Sequence, residues 1–314
     1  MEPTEGTSKS ERTIGEGRGC GCLLTIALMF AWFIGISIIE LAFIISAGEP
    51  SNIYRLPLAV LECLFTFGIV LAFWNLIRVK DPLEELGLSL VGRIPAQFIG
   101  GLILGAVGVG VAVLIIAIGG GVSIEEGQPV YPEQTDIGER SWPAAILFFL
   151  LYAFNEEIIM RGFLYPFLKR SYGFVFSLTA SSLFFALMHL FNVGFDLIPF
   201  IDIFLAGIFL TLLRELTGNL WLAGSAHFAW NFTLASLGLP VSGHVMLLNP
   251  QTFHLMVNGP DWLTGGIFGP EGGLSGVAAD LFLIAITALL LYRKTAGIKP
   301  DPGEIEEISH PAGY

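Results

Sequence analysis

Apolar residues in this chain come in long unbroken runs rather than in an amphipathic rhythm. Eight runs stand out: Leu23–Ala47, Leu56–Ile77, Ile94–Ile118, Trp142–Phe163, Val175–Phe191, Leu197–Leu213, Leu220–Leu237 and Val277–Tyr292. A bilayer core about 30 Å thick takes about 20 residues of helix. The pattern therefore predicts an all-α integral membrane protein with about eight transmembrane helices. The first run follows Arg18, is too long for a signal-peptide core, and no small-residue cleavage site follows it directly. Residues 1–19 and 299–314 are rich in Gly, Glu, Ser and Pro. They read as disordered tails flanking a membrane domain at 20–298. No internal repeat is visible.

Composition strengthens that class. Of the 314 residues, 54% are apolar and only 13% charged, against about 25% charged in soluble domains; the mean hydropathy is +0.74. The net charge of −12 sits mostly in tails and loops, so nothing points to nucleic acid. Cys20, Cys22 and Cys63 show no metal-ligand spacing and no disulfide framework. Cys20-Gly-Cys22 borders the first run, where it is either a lipidation site or simply small boundary residues. With the N-terminus in the cytoplasm and eight crossings, thirteen Lys and Arg fall on the inner side. Only Arg55 and Arg140 fall outside. The positive-inside rule then puts both termini in the cytoplasm, most simply at a cell membrane.

Several ionisable residues interrupt the runs, and a charge at bilayer depth costs several kcal/mol unless it is partnered. Glu40 and Glu62 interrupt the first two, and each either snorkels or pairs. The fourth run holds Glu156, Glu157 and Arg161. Glu157 and Arg161 are four apart and share a helix face, while Glu156 points about 100° away. One carboxylate is thus tied to the arginine and the other left free; a plain packing ion pair would look the same. The fifth run ends Phe185-x-x-x-His189, and the seventh carries His227-x-x-x-Asn231. Each of these, taken alone, is equally well read as packing or interhelical hydrogen bonding. Taken together they describe Glu, His, His and Asn converging from three helices.

In this order the three motifs resemble the CPBP family, which comprises the type II CAAX prenyl endopeptidases and the bacteriocin-processing and self-immunity proteins. Arg161-Gly162-Phe-Leu, Leu187-Met-His189 and Arg214-Glu-Leu-Thr-Gly218-Asn-Leu-Trp221 fit as well. The resemblance covers residues 143–237. It implies an intramembrane endopeptidase with its polar site inside the helix bundle. Its substrate would be a membrane-associated peptide or protein, prenylated where the host prenylates proteins. By analogy Glu156 and His189 would activate a water, and His227 and Asn231 would stabilise the oxyanion. Glu157, Arg161 and Phe185 would support them. The metalloprotease label also brings zinc into view, with Glu156, His189 and His227 as ligands, although the chain has no His-Glu-x-x-His.

Two other classes stay open: a non-catalytic immunity or scaffold protein of the same family, and a proton-coupled transporter, which would favour broken helices and a repeat. Counted from the run ends, Glu156 and His227 fall nearer the inner face and His189 nearer the outer. The connection between Gly238 and Gly276 carries no Lys or Arg. Its His244 and His254 are expected at the surface or as ligands, and Val245–Val257 as an interfacial or re-entrant segment.

Overall fold

The computed structural model describes residues 18–47, 55–90, 92–127, 142–245 and 253–297. In chain order these form α1 (Arg18–Ala47), α2 (Arg55–Leu76), α3 (Pro82–Leu86), α4 (Ile94–Gly119), β1 (Val122–Glu126) and α5 (Trp142–Ile159). A π turn (Met160–Leu164) leads to α6 (Tyr165–Tyr172), α7 (Phe174–Met188), α8 (Leu197–Thr217) and α9 (Trp221–Ser236). Then come β2 (Phe253–Val257), the one-turn α10 (Asp261–Thr264), two 3-10 turns (Gly266–Phe268, Pro270–Gly272) and α11 (Leu274–Gly297). The helix α1 begins at Arg18, inside the stretch expected as tail; residues 1–17 and 298–314, with the rest of both tails, lie outside the described residues.

All eight apolar runs are helical. Among the described residues five helices are long and apolar enough to cross a membrane: Leu56–Leu76, Ile94–Gly119, Trp142–Tyr172, Leu197–Thr217 and Leu274–Gly297. The helix α7 has 15 residues and α9 has 16. Both are shorter than the roughly 20 that a bilayer core requires. Large apolar side chains such as Phe30, Leu64, Ile103, Val175 and Leu281 face outward, as suits helices solvated by lipid. The fold is not purely helical. The strands β1 and β2 pair antiparallel, Val122 opposite Val257 and Glu126 opposite Phe253. Their β-branched and aromatic residues favour a ladder, and Leu255 N–H donates to Leu237 O at 2.8 Å. The end of the expected interfacial segment is therefore a strand; residues 246–252 lie outside the described residues.

The fourth run does not end at Phe163. Pro166 has no N–H and its ring crowds the carbonyl four residues back, that of Gly162. The helix absorbs this through the π turn, where Tyr165 N–H bonds Met160 O, and continues to Tyr172. The carbonyls so displaced find other donors. Trp74 Nε1 donates to Gly162 O at 3.3 Å and Arg214 Nε to Arg161 O at 3.3 Å.

The helices α4 and α9 make the most intimate contact in the bundle. A Cβ on Gly101 would stand 2.4 Å from Leu222 O, and one on Gly105 2.2 Å from Ala226 O. Gly-x-x-x-Gly thus lets two backbones touch, the device that membrane helices use where water gives no apolar driving force.

One end of the bundle gathers basic residues. Arg170 pairs with Glu85, Arg214 Nη2 donates to Glu85 O at 3.0 Å, and Lys294 Nζ donates to Leu216 O at 2.8 Å. The β ladder and both 3-10 turns belong to the other end. Two apolar cores fill the interior, one around α4, α5, α8, α9 and α11 and one around α1, α2, the π turn, α6 and α7.

Candidate active site

A cavity of about 50 Å³ lies where the two cores meet. Glu156, Phe185, His189, His227 and Asn231 line it, and so do Tyr152, Asn192, Asp202, Ser242, His244, Glu271 and Asp280. Of the residues singled out from sequence, Glu157 and Arg161 stand behind this wall, fully buried.

The unequal depths counted from the run ends disappear. Glu156 and His189 lie 17 and 16 residues on either side of Gly173, the turn between α6 and α7. Because the helix runs on to Tyr172, both residues climb about 25 Å from that turn and arrive level. The short α7 delivers His189 at its C-terminal cap rather than at the far membrane face.

Hydrogen bonds fix the orientation of each ring. His189 Nδ1 lies 2.9 Å from Phe185 O; a carbonyl only accepts, so Nδ1 carries the proton and Nε2 of the neutral ring is a free base. His227 Nδ1 bonds Glu157 Oε1 at 3.0 Å, and its Nε2 lies 3.7 Å from Glu156 Oε2. His227 therefore sits between two carboxyl groups. Phe185 spaces the site: its ring meets His189 edge-on at 5.1 Å and His227 at 5.9 Å. The Arg161 guanidinium lies over the same ring, 4.5 Å from its centroid.

Arg161 is held from four sides. Nη1 reaches Glu157 Oε1 at 2.7 Å, Nη2 reaches Gly207 O at 3.0 Å, Nε reaches Thr211 Oγ1 at 3.3 Å, and Phe185 covers the plane. Glu157 therefore does more than the spacing indicates, because the same oxygen that takes Arg161 also orients His227. The Tyr152 hydroxyl stands beside Glu156, whose Oε2 has no hydrogen-bond partner among the described residues.

Some residues fall elsewhere than expected. His244 lines the cavity, and His254 is buried on β2 with Nδ1 donating to Gly127 O at 3.0 Å, so neither is a simple surface histidine. Glu62 is buried near Tyr152. Tyr152, Asp202, Glu271 and Asp280 join the site without belonging to any of the three motifs. For the two aspartates the signal was present, as acids inside apolar runs.

Among the described residues no group of three or more His, Cys, Asp or Glu side chains is arranged to hold a metal ion. Glu156, His189 and His227, as placed, are not among such groups.

Fold and site together define a helical membrane protein with carboxylates and imidazoles enclosed at one point. Residues 138–233 match the family model described as type II CAAX prenyl endopeptidase Rce1-like. All seven motif residues fall within that match, which spans under a third of the chain and supports the resemblance to the CPBP family. No curated protein matches the chain.

Proposed function

We propose that the chain is an intramembrane endopeptidase acting on a membrane-associated peptide or protein, in an eight-crossing topology with both termini cytoplasmic. The observation that carries this reading is the convergence of Glu156, His189, His227 and Asn231 on one small cavity. Its volume suits a water and a scissile carbonyl rather than a folded substrate.

Glu156 and the Nε2 of His189 hold the water. Glu156 takes its proton as the oxygen attacks the carbonyl, a role worth about 10²–10⁴ in rate. The tetrahedral oxyanion accepts hydrogen bonds from Asn231 Nδ2 and from His227 Nε2–H. With Nδ1–H already given to Glu157, His227 donates from Nε2 only as the imidazolium, with Glu156 and Glu157 on either side of the ring. The C–N bond then breaks as Glu156 passes its proton to the leaving nitrogen, giving a carboxylic acid and an amine; the acid's remaining proton passes to the amine, so that a carboxylate and an ammonium leave. Glu157 and Arg161 keep His227 turned toward the reaction.

The test is purified protein in lipid vesicles, offered lipid-anchored peptides with and without a prenyl group, against Glu156→Gln. Cleavage by the wild type alone supports the reading. Equal cleavage by both proteins, or cleavage only of soluble peptides, sinks it. Chelation is expected to leave turnover intact; loss restored by stoichiometric zinc would overturn the metal-free mechanism. The acids Asp202, Glu271 and Asp280 in the same cavity favour proton transport as a second reading. A proton flux across those vesicles without peptide cleavage would select it.

A further inference from the structure

The proteolytic mechanism leaves three buried carboxylates of the cavity wall without a role, Asp202, Glu271 and Asp280, and the second of them joins two parts of the site. Glu271 lies outside the spans, in the second 3-10 turn, 7% exposed. Its two oxygens face two different pieces of the site. Oε1 accepts from Trp230 Nε1 at 2.9 Å; Trp230 stands on α9 immediately before Asn231 and one turn beyond His227. Oε2 accepts from both the backbone N–H and the hydroxyl of Ser242, the latter at 3.0 Å.

Ser242 is itself an unusual residue. Val241 and His244 bond each other on both sides of a two-residue turn, in which Ser242 has φ 46° and Gly243 φ 83°. Two positive φ values make a type I′ turn, whose first position favours Asn, Asp or Gly. A serine there is strained, and such strain persists where the surroundings over-determine it. Glu271 supplies that determination by taking both of the serine's donors. A Cβ on Gly243 would meet Val193 O at 2.3 Å, so the turn lies flat on the segment after α7. From there the bonding runs on to the base. Asn192 Nδ2 donates to Ser242 O at 2.8 Å, and Asn192 N–H donates to His189 O at 2.9 Å.

We propose that Glu271 is the positioning residue of the site. It is the keystone of a hydrogen-bonded arch from His189 through Asn192, Ser242 and Trp230 to the helix of His227 and Asn231. The arch sets the distance between the water-activating side and the oxyanion side. This rests on the proteolytic reading, because only there do these two sides have to meet across one carbonyl. Burial pushes the Glu271 carboxyl up, against the bonds from Ser242 and Trp230 and the nearby His189, which favour its charged form. On protonation one acceptor oxygen becomes a donor, so the arch is complete above that pKa and loosens below it. Asp202, Asp280, Glu156, His189, His227 and His244 face the same cavity and account for whatever acid limb remains without Glu271.

The experiment compares Glu271→Gln, Trp230→Phe and the double variant in vesicles with a cleaved anchored peptide. An amide keeps one acceptor and turns the other position into a donor. Glu271→Gln can thus hold Ser242 and must release Trp230. Both single variants are expected to fold and to lose about ten- to a hundredfold in kcat with KM little changed. The double variant is expected to lose no more than either single one, because both break the same bond. Glu271→Gln should also flatten part of the acid limb of kcat. Additive losses, or an unchanged kcat in Glu271→Gln, would overturn the proposal. An independent readout is the ¹⁵N spectrum of the histidine rings. The ring signals of both His189 and His227 should move in Glu271→Gln, and unmoved signals count against the arch. If the folded wild type cleaves no anchored peptide, the proteolytic reading fails, and the ring spectra still decide the arch.

Discussion

The two walls of the cavity treat buried charge in opposite ways. On the side of the π turn, Arg161 and Glu157 are fully buried, and the guanidinium is met by a carboxylate, a carbonyl, a hydroxyl and an aromatic face. On the side of α8 and α11, Asp202 and Asp280 are each 1% exposed. One oxygen of each has no hydrogen-bond partner among the described residues, which is also true of Glu157 Oε2, but the charged neighbours of Asp202 are the acids Asp280 and Glu271, whereas Glu157 meets a guanidinium. The first wall compensates its charge and so orders the structure. The second gathers acids of one sign beside the cavity, an arrangement that packing alone does not reward. Glu156 faces the cavity from the first wall yet makes no ion pair with Arg161; its Oε2 has no hydrogen-bond partner among the described residues and lies 3.7 Å from His227 Nε2. The difference separates charge that holds the bundle together from charge that is available for chemistry.

The largest effect should come from breaking the compensated wall. Glu157→Gln leaves Arg161 buried without its counter-charge and releases His227 Nδ1. Removing one member of a buried pair costs about 3–5 kcal/mol, so the thermal midpoint in detergent should fall steeply and the folded yield with it. An unchanged midpoint would mean that Gly207, Thr211 and Phe185 suffice to hold Arg161. Glu156→Gln, one residue earlier, should do the reverse. It keeps shape, and its midpoint should hold or rise, while turnover falls by about 10²–10⁴. If both variants lost stability equally, the division between the two carboxylates would collapse.

Much of this site was legible because it is periodic. Glu157 and Arg161, Phe185 and His189, His227 and Asn231 each sit one helical turn apart, and a helix brings such pairs to one face whatever surrounds it. The depth of His189 was not legible, because it depends on Pro166. A proline there reads as a helix end, whereas the bundle absorbs it in a π turn with Trp74 and Arg214 supplying donors from distant segments. The link from Glu157 to His227 crosses 70 positions, and no local pattern encodes it. Glu271 lay hidden in a Gly-Pro-Glu-Gly-Gly run that reads as loop. Its partners Trp230 and Ser242 come from segments 41 and 29 positions away.

A smaller effect should follow from parting α4 and α9, which carries the oxyanion side. Gly105→Ala puts a methyl group 2.2 Å from Ala226 O, and backbone cannot swing aside as a long side chain can. Overpacking of this kind costs about 1–3 kcal/mol. His227 and Asn231 ride on the displaced helix, so kcat should fall by more than the midpoint shift accounts for. Gly110→Ala, a position on the same helix where a Cβ meets nothing within 4 Å, should change neither.

The smallest effect is expected at Asp202, and it tests the comparison most directly. Asp202→Asn keeps the shape and removes a carboxylate that has Asp280 and Glu271 as acidic neighbours. No counter-charge is stranded, unlike in Glu157→Gln, and a like-charge contact is relieved. Gly276 lies so close that its Cβ would be 2.8 Å from Asp202 Oδ1, and an amide of equal size does not disturb that packing. The stability should therefore stay within about 1 kcal/mol of the wild type or rise, as thermal unfolding of both proteins in the same detergent measures. A loss as deep as that of Glu157→Gln would show that Asp202 is as firmly partnered as Arg161, and the two walls would then not differ in kind.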